Sequence, residues 1–157
     1  MKIKLIAIGK TDHRNLQTMI DVYCKRIGYY ISFSFEIIPD IKNSKNLSEE
    51  QQKKMEGNEI LKKISPTDHI VLLDEKGKEY SSVDFSRFLQ KKMNSGLKNL
   101  IFIIGGPYGF SNEVYTRAND KVSLSLMTFS HQMIRLLFTE RLYRAFTILR
   151  NDHYHHK

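Results

Sequence analysis

The chain has 157 residues, 41% of them apolar and 11% aromatic, enough to fill the core of one domain of ordinary size. A formal net charge of +8 points towards a polyanion such as nucleic acid, although a lysine-rich soluble surface accounts for it equally well. No run approaches the roughly 18 apolar residues of a membrane span, and the apolar part of MKIKLIAIGK is shorter and more strand-like than a signal peptide. A cytoplasmic chain with no membrane partner is expected, and its lone Cys24, among the apolar positions of a helical pattern, reads as a buried small hydrophobe.

Lys2 to Ile8 reads as a strand, followed by a helix whose apolar residues Leu16, Ile20, Tyr23, Cys24 and Ile27 recur at three and four. ISFSFEII, residues 31 to 38, alternates as a second strand. Ser48 and Gln51 have the spacing of a capping box that opens a helix through Ile64, which Gly57 weakens. DHIVLLD predicts a third strand and EKGK a turn; Ser81 with Asp84 caps the next helix, and Gly96 is placed to stop it. NLIFIIGG is the fourth strand, Ser111 to Asn119 a short helix, KVSLSL a fifth strand, and Ser130 to Arg150 a long final helix. Strand and helix alternate five times with no repeat and no linker rich in Pro and Gly, which predicts an α/β sandwich around a parallel sheet.

Ligands of open α/β sheets sit beyond the carboxyl ends of the strands. Three such ends carry unusual sequence: LLDEKGK, IIGGPYG and SLMTFSHQ. GGPYG lacks the G-x-G-x-x-G spacing of a dinucleotide fingerprint, Pro107 removes an amide that could have met a phosphate, and there is no Walker lysine. Its glycines read either as a tight turn or as a place where a ligand approaches the backbone. The final helix carries apolar residues around more than one face, from Met133 to Leu149, so part of it is expected to meet a second subunit. Arg135, Arg141, Arg144 and Arg150 interrupt it and, taken singly, read as structural side chains that pair with carboxylates such as Glu140. The tail gathers Tyr154, His155, His156 and Lys157, groups suited to stacking, proton transfer and phosphate contact. No metal site is expected, because no Cys or carboxylate pattern accompanies the histidines; His13, His69 and His131 are scattered and read as unrelated.

LLDEKGKEYSS, IFIIGGPYGF, LSLMTFSHQMIR, ERLYRAF and the terminal YHHK, in this order behind MKIKLIAIGK, are similar to the ribosomal RNA large-subunit methyltransferase H family over essentially the whole chain. That resemblance implies a single SPOUT domain over residues 1–157, a homodimer with a trefoil knot in the C-terminal backbone. It implies S-adenosylmethionine as cofactor and, as substrate, N3 of a pseudouridine in a 23S rRNA hairpin. By this resemblance Gly105 and Gly106 would line a pocket for the bent cofactor, since a side chain there would collide with it, and Leu73 and the segment Leu124, Ser125, Leu126, Met127, Thr128 and Phe129 match the family's other cofactor loops, whose backbone groups would bind adenine and whose apolar side chains would enclose it. Arg144, Tyr154 and His155 match the motifs associated with substrate binding and catalysis. Ser130 stands where the family commonly has proline, and either residue suits a helix start. His156 stands where a basic residue commonly follows, leaving Lys157 to supply the charge.

On this resemblance His155, oriented by Tyr154, is expected to assist proton removal, and Arg144 to hold a phosphate or the developing anion. The site is expected to be shared, one subunit's tail completing its partner's pocket, and the ribosome to present the target. Two other readings remain open: methylation of a ribose 2′-hydroxyl, and a non-catalytic RNA-binding module.

Overall fold

The computed structural model describes residues 1–155; His156 and Lys157, and the charge expected of Lys157, lie outside the described residues. The elements in chain order are β1 Lys2–Ile8, α1 Arg14–Ile27, β2 Ser32–Ile38, α2 Glu49–Lys62, β3 His69–Glu79, α3 Ser82–Asn94, β4 Asn99–Ile104, α4 Asn112–Arg117, β5 Asp120–Ser123 and α5 Met133–Leu149. The strands form one sheet in the order β2-β1-β4-β3-β5, and every neighbouring pair is parallel. The expected α/β sandwich is what forms.

Strand side chains alternate between the two faces of the sheet, and the central strands β1, β4 and β3 lie between two apolar layers. Leu100, Phe102 and Ile104 of β4 enter the layer shared with Phe138, Leu142 and Phe146 of α5. Ile101 and Ile103 enter the other, against Ile60 of α2 and Val114 of α4. Helices α1, α3 and α5 therefore cover one face, and α2 and α4 the other.

The local signals operate as chemistry predicts. Ser48 Oγ accepts from Gln51 N at 3.1 Å while Gln51 Oε1 accepts from Ser48 N at 2.9 Å, completing the capping box. Gly57 has a packing reason: a Cβ there would lie 2.3 Å from Ser111 Oγ, so its absence lets α2 close on the cap of α4. Gly96 follows α3 at φ 79°, the left-handed position that stops a helix. Cys24 is partly buried, and burial, with Asp21 adding to it, pushes its thiol up to about 11.

Three boundaries differ from expectation. The EKGK segment does not end β3: Leu73 and Lys78 both pair with Val122, so residues 74–77 bulge out and the strand resumes to Glu79. Gly77 permits this, since a Cβ there would lie 2.6 Å from the carbonyl carbon of Lys121. Strand β5 ends at Ser123, where the Ser123 hydroxyl donates to Ser125 O at 2.8 Å and the chain turns off the sheet. Helix α5 opens at Met133 with Gln132 at its N-cap, and Ser130 acts in the turn before it, Oγ accepting from Met133 N at 3.1 Å.

Arg135 of α5 is 0% exposed and anchors the end of β1. Its guanidinium donates to Ile8 O at 2.8 Å, Gly9 O at 2.7 Å and Thr11 Oγ1 at 3.2 Å, and its Nε to His131 O at 2.9 Å. This arginine is structural, as expected.

Candidate active site

The C-terminal ends of β3, β4 and β5 open into a cleft of about 710 Å³. Leu73 ends the part of β3 that pairs before the bulge, Gly105 and Gly106 follow β4, and the chain beyond β5 supplies the third wall. Of the segment 124–129, Leu124, Ser125, Met127, Thr128 and Phe129 line the cleft. Leu126 does not, and is 76% exposed instead. Met127 is 77% exposed, so the cleft's mouth carries apolar surface open to a ligand or a second chain.

Gly106, Pro107, Tyr108 and Gly109 make a tight turn, Gly109 N donating to Gly106 O at 3.1 Å, with proline second and Gly109 at φ 83°. The protein itself excludes side chains here. A Cβ at Gly105 would lie 3.2 Å from Phe110 Cε1, and one at Gly106 only 2.5 Å from Glu56 Oε1. The resemblance implies glycines here because a side chain would collide with a bound cofactor; within the chain itself a Cβ would crowd Phe110 and Glu56 as well.

Polar bonds tie the three walls together. Tyr115 OH donates to the Asp74 carboxylate, whose Oδ1 also accepts from Lys76 N at 3.0 Å within the bulge. Burial and then Asp74 push the Tyr115 phenol well above its ordinary range, so it remains a donor. Thr128 Oγ1 donates to Glu75 Oε2 at 2.7 Å, bridging the β3 bulge and the segment after β5. His131, set aside in the sequence, lines the cleft, and its Nδ1 is buried without a partner among the described residues.

Arg144, Tyr154 and His155 come together elsewhere, outside the lining of the cleft. Asn151 turns the chain at φ 56°, Asp152 N donates to Thr147 O at 2.8 Å, and Tyr30 OH donates to the Asp152 carboxylate. The tail is thereby folded back on α5. Arg144 sits 4.9 Å from the centre of the Tyr154 ring, which in turn packs edge-on to Tyr143 at 4.8 Å. Arg144 Nη1 lies 3.3 Å from His155 Nδ1. A guanidinium can only donate, so in this hydrogen bond Nδ1 is the acceptor.

Glu140, named in the sequence only as a partner for arginines, organises this group. Its Oε1 accepts from Arg144 Nη2 at 2.6 Å, Arg144 Nε at 3.1 Å and Tyr154 OH at 3.2 Å, and its Oε2 from Arg141 at 2.6 Å. Burial pushes this carboxyl up, but the bonds from Arg144 and Arg141 outweigh it and hold the group below the usual carboxylate range. Burial, then Tyr23 and Glu140, push the Tyr154 phenol upward, so it is a neutral donor and not a base. The four-residue spacing of Glu140 and Arg144 was legible as a helical pair; nothing in the sequence pointed to Tyr115 or Glu56.

Among the described residues no helix is long and apolar enough to cross a membrane.

An α/β sheet whose last three strands feed loops around one glycine-walled cleft defines the structural class. The family described as "Predicted SPOUT methyltransferase" matches residues 1–155, and the chain belongs to that family, in the branch of the ribosomal RNA large subunit methyltransferase H proteins. Relatives with that name from Flavobacterium johnsoniae, Flavobacterium psychrophilum and Parabacteroides distasonis are 68%, 67% and 59% identical to it, each over 100% of both chains.

Proposed function

We propose that this chain is an S-adenosylmethionine-dependent methyltransferase acting on N3 of a pseudouridine in a 23S rRNA hairpin, presented by the assembled ribosome. The observation that carries the reading is the cleft at the ends of β3, β4 and β5, of the right size for a nucleoside cofactor. Its residues fit that group. Leu73, Leu124 and Ile134 offer apolar walls, the backbone of Gly105 and Gly106 is bare of side chains, and the buried Nδ1 of His131 has no partner among the described residues. Leu73, Gly105, Gly106 and Leu124 to Phe129 would hold it, with Leu126 engaged only if its loop moves or a second chain covers it. When bound, it supplies a methyl group on a good leaving group.

The chain's own task is to hold the base and take up the N3 proton. In this reading His155 assists proton removal and Arg144 holds a phosphate or the developing anion. Nδ1 of His155 faces Arg144 Nη1, a group that can only donate. To act as a base through Nδ1, His155 must therefore leave Arg144, which substrate phosphate competing for Arg144 would bring about.

Because the tail group and the cleft are separate within one chain, we place the working site across a homodimer, one subunit's tail completing its partner's cleft. The apolar mouth at Met127 and Leu126 supplies surface for that contact. A C-terminal trefoil knot and one domain spanning the chain belong to the same reading, and the net charge of +8 suits an RNA substrate.

Calorimetric titration with S-adenosylmethionine, comparing wild type with Gly105→Val, tests the site. Saturable binding lost in the variant supports it, and absence of binding to wild type overturns it. Mapping the methyl group on ribosomes then separates base from ribose 2′-hydroxyl methylation.

A further inference from the structure

Glu56 is a buried carboxyl that none of these roles uses. It lies on α2 at 3% exposure, its Oε1 has no hydrogen-bond partner among the described residues, and its Oε2 receives only Gln52 Nε2 at 3.3 Å. An apolar side chain of similar length would avoid the penalty of burying such a group. Its place explains its presence. Oε1 occupies the position, within 2.5 Å, that a Cβ of Gly106 would take, so the carboxyl is pressed against the back of the turn whose front lines the cleft. The neighbouring Gly57 fixes α2 at this depth by its close approach to Ser111.

The adjacent strand end repeats the arrangement. Ala7 pairs with Ile104, so β1 and β4 end side by side. A Cβ at Gly9 would lie 2.5 Å from Asp40 Oδ1. Two neighbouring strand ends are thus each backed by a carboxyl group. Asp40, from the segment after β2, is the charged group whose field acts on Glu56, while Gln52 on its own helix, which donates to it, and Gly106 against it are uncharged.

We propose that Glu56 is a positioning residue for the cofactor cleft, holding the Gly105–Gly109 turn at its observed depth through contact with Gly106. This rests on the cofactor reading given above. The uncharged carboxyl is the form that fits: burial first, and the charge of Asp40 as well, push its proton affinity above the ordinary 4.5. Ionisation adds a second negative charge within the field of Asp40, at an oxygen with no hydrogen-bond partner among the described residues, and favours movement of Glu56 out from behind the turn. The sign follows from the direction of that shift. A carboxyl with a raised value in the folded state stabilises the turn at low pH and loses that contribution as pH rises through the raised value.

The test compares wild type, Glu56→Gln and Glu56→Ala by S-adenosylmethionine titration and by amide hydrogen exchange of residues 105–109, between roughly pH 5 and 8. Glutamine is a permanently uncharged isostere. Wild type is expected to lose affinity and turn protection with rising pH, the glutamine variant to be pH-flat with affinity within about twofold of wild type at the acid end, and the alanine variant about tenfold weaker throughout. Identical profiles for wild type and Glu56→Gln overturn the proposal, as does wild-type behaviour of Glu56→Ala. Should wild type bind no cofactor at any pH while exchange still separates it from the glutamine variant, the cofactor reading falls and the dependence of the turn on Glu56 stands.

Discussion

Glu140 and Arg144 are one helical turn apart on α5, and Arg144 Nη2 donates to Glu140 Oε1 at 2.6 Å, an oxygen that Tyr154 OH also reaches at 3.2 Å. One carboxylate therefore orients both the arginine and the tail. Glu140→Gln is expected to cost about 1–3 kcal/mol of stability and to reduce methyl transfer at least tenfold, with cofactor affinity retained. The pH dependence has a definite sign. A carboxyl held below its ordinary value contributes stability above that range and loses it as pH falls through the lowered value. Tyrosine fluorescence of the wild type should change on acidification below about pH 4.5, and that change should be absent in Glu140→Gln.

Replacing His155 with alanine should lower methyl transfer about 10²-fold while leaving the cofactor dissociation constant within about twofold. Single-turnover methylation beside calorimetry checks this. Equal turnover by the variant removes His155 from the chemistry.

Mixed dimers of a chain lacking residues 151–157 and a chain carrying Gly105→Val test sharing of the site. One working site per dimer is expected, since one intact tail then meets one intact cleft. Complete inactivity argues that each subunit works alone.

Gly77→Ala places a Cβ 2.6 Å from backbone that β5 cannot easily move. A loss of about 1–3 kcal/mol in chemical denaturation is expected. Because the displaced bulge carries Asp74 and Glu75, cofactor affinity should fall with it.

With its thiol pushed up to about 11, Cys24 has about one thiolate per thousand molecules at pH 8. Native protein should react with a thiol reagent at least about tenfold more slowly than unfolded protein, and a comparable rate would contradict the burial seen here.

Much of this architecture was legible along the chain because its determinants are local. The 3.6 and 2.0 periods, the serine caps at Ser48, Ser81 and Ser111, and Gly96 each act within a few residues of themselves. They carry enough information for five strands and the helices between them. The three unusual strand ends were legible for the same reason, and they converge on one cleft. What the sequence could not supply were relations between residues far apart in the chain. Strand order, the pairing of both Leu73 and Lys78 with Val122, the entry of His131 into the cleft and the pressing of Glu56 against Gly106 are such relations. Glycine at 106 was readable as a need for space; only the packing of α2 against β4 decided that Glu56 fills it, because tertiary contact, unlike periodicity, leaves no spacing to read.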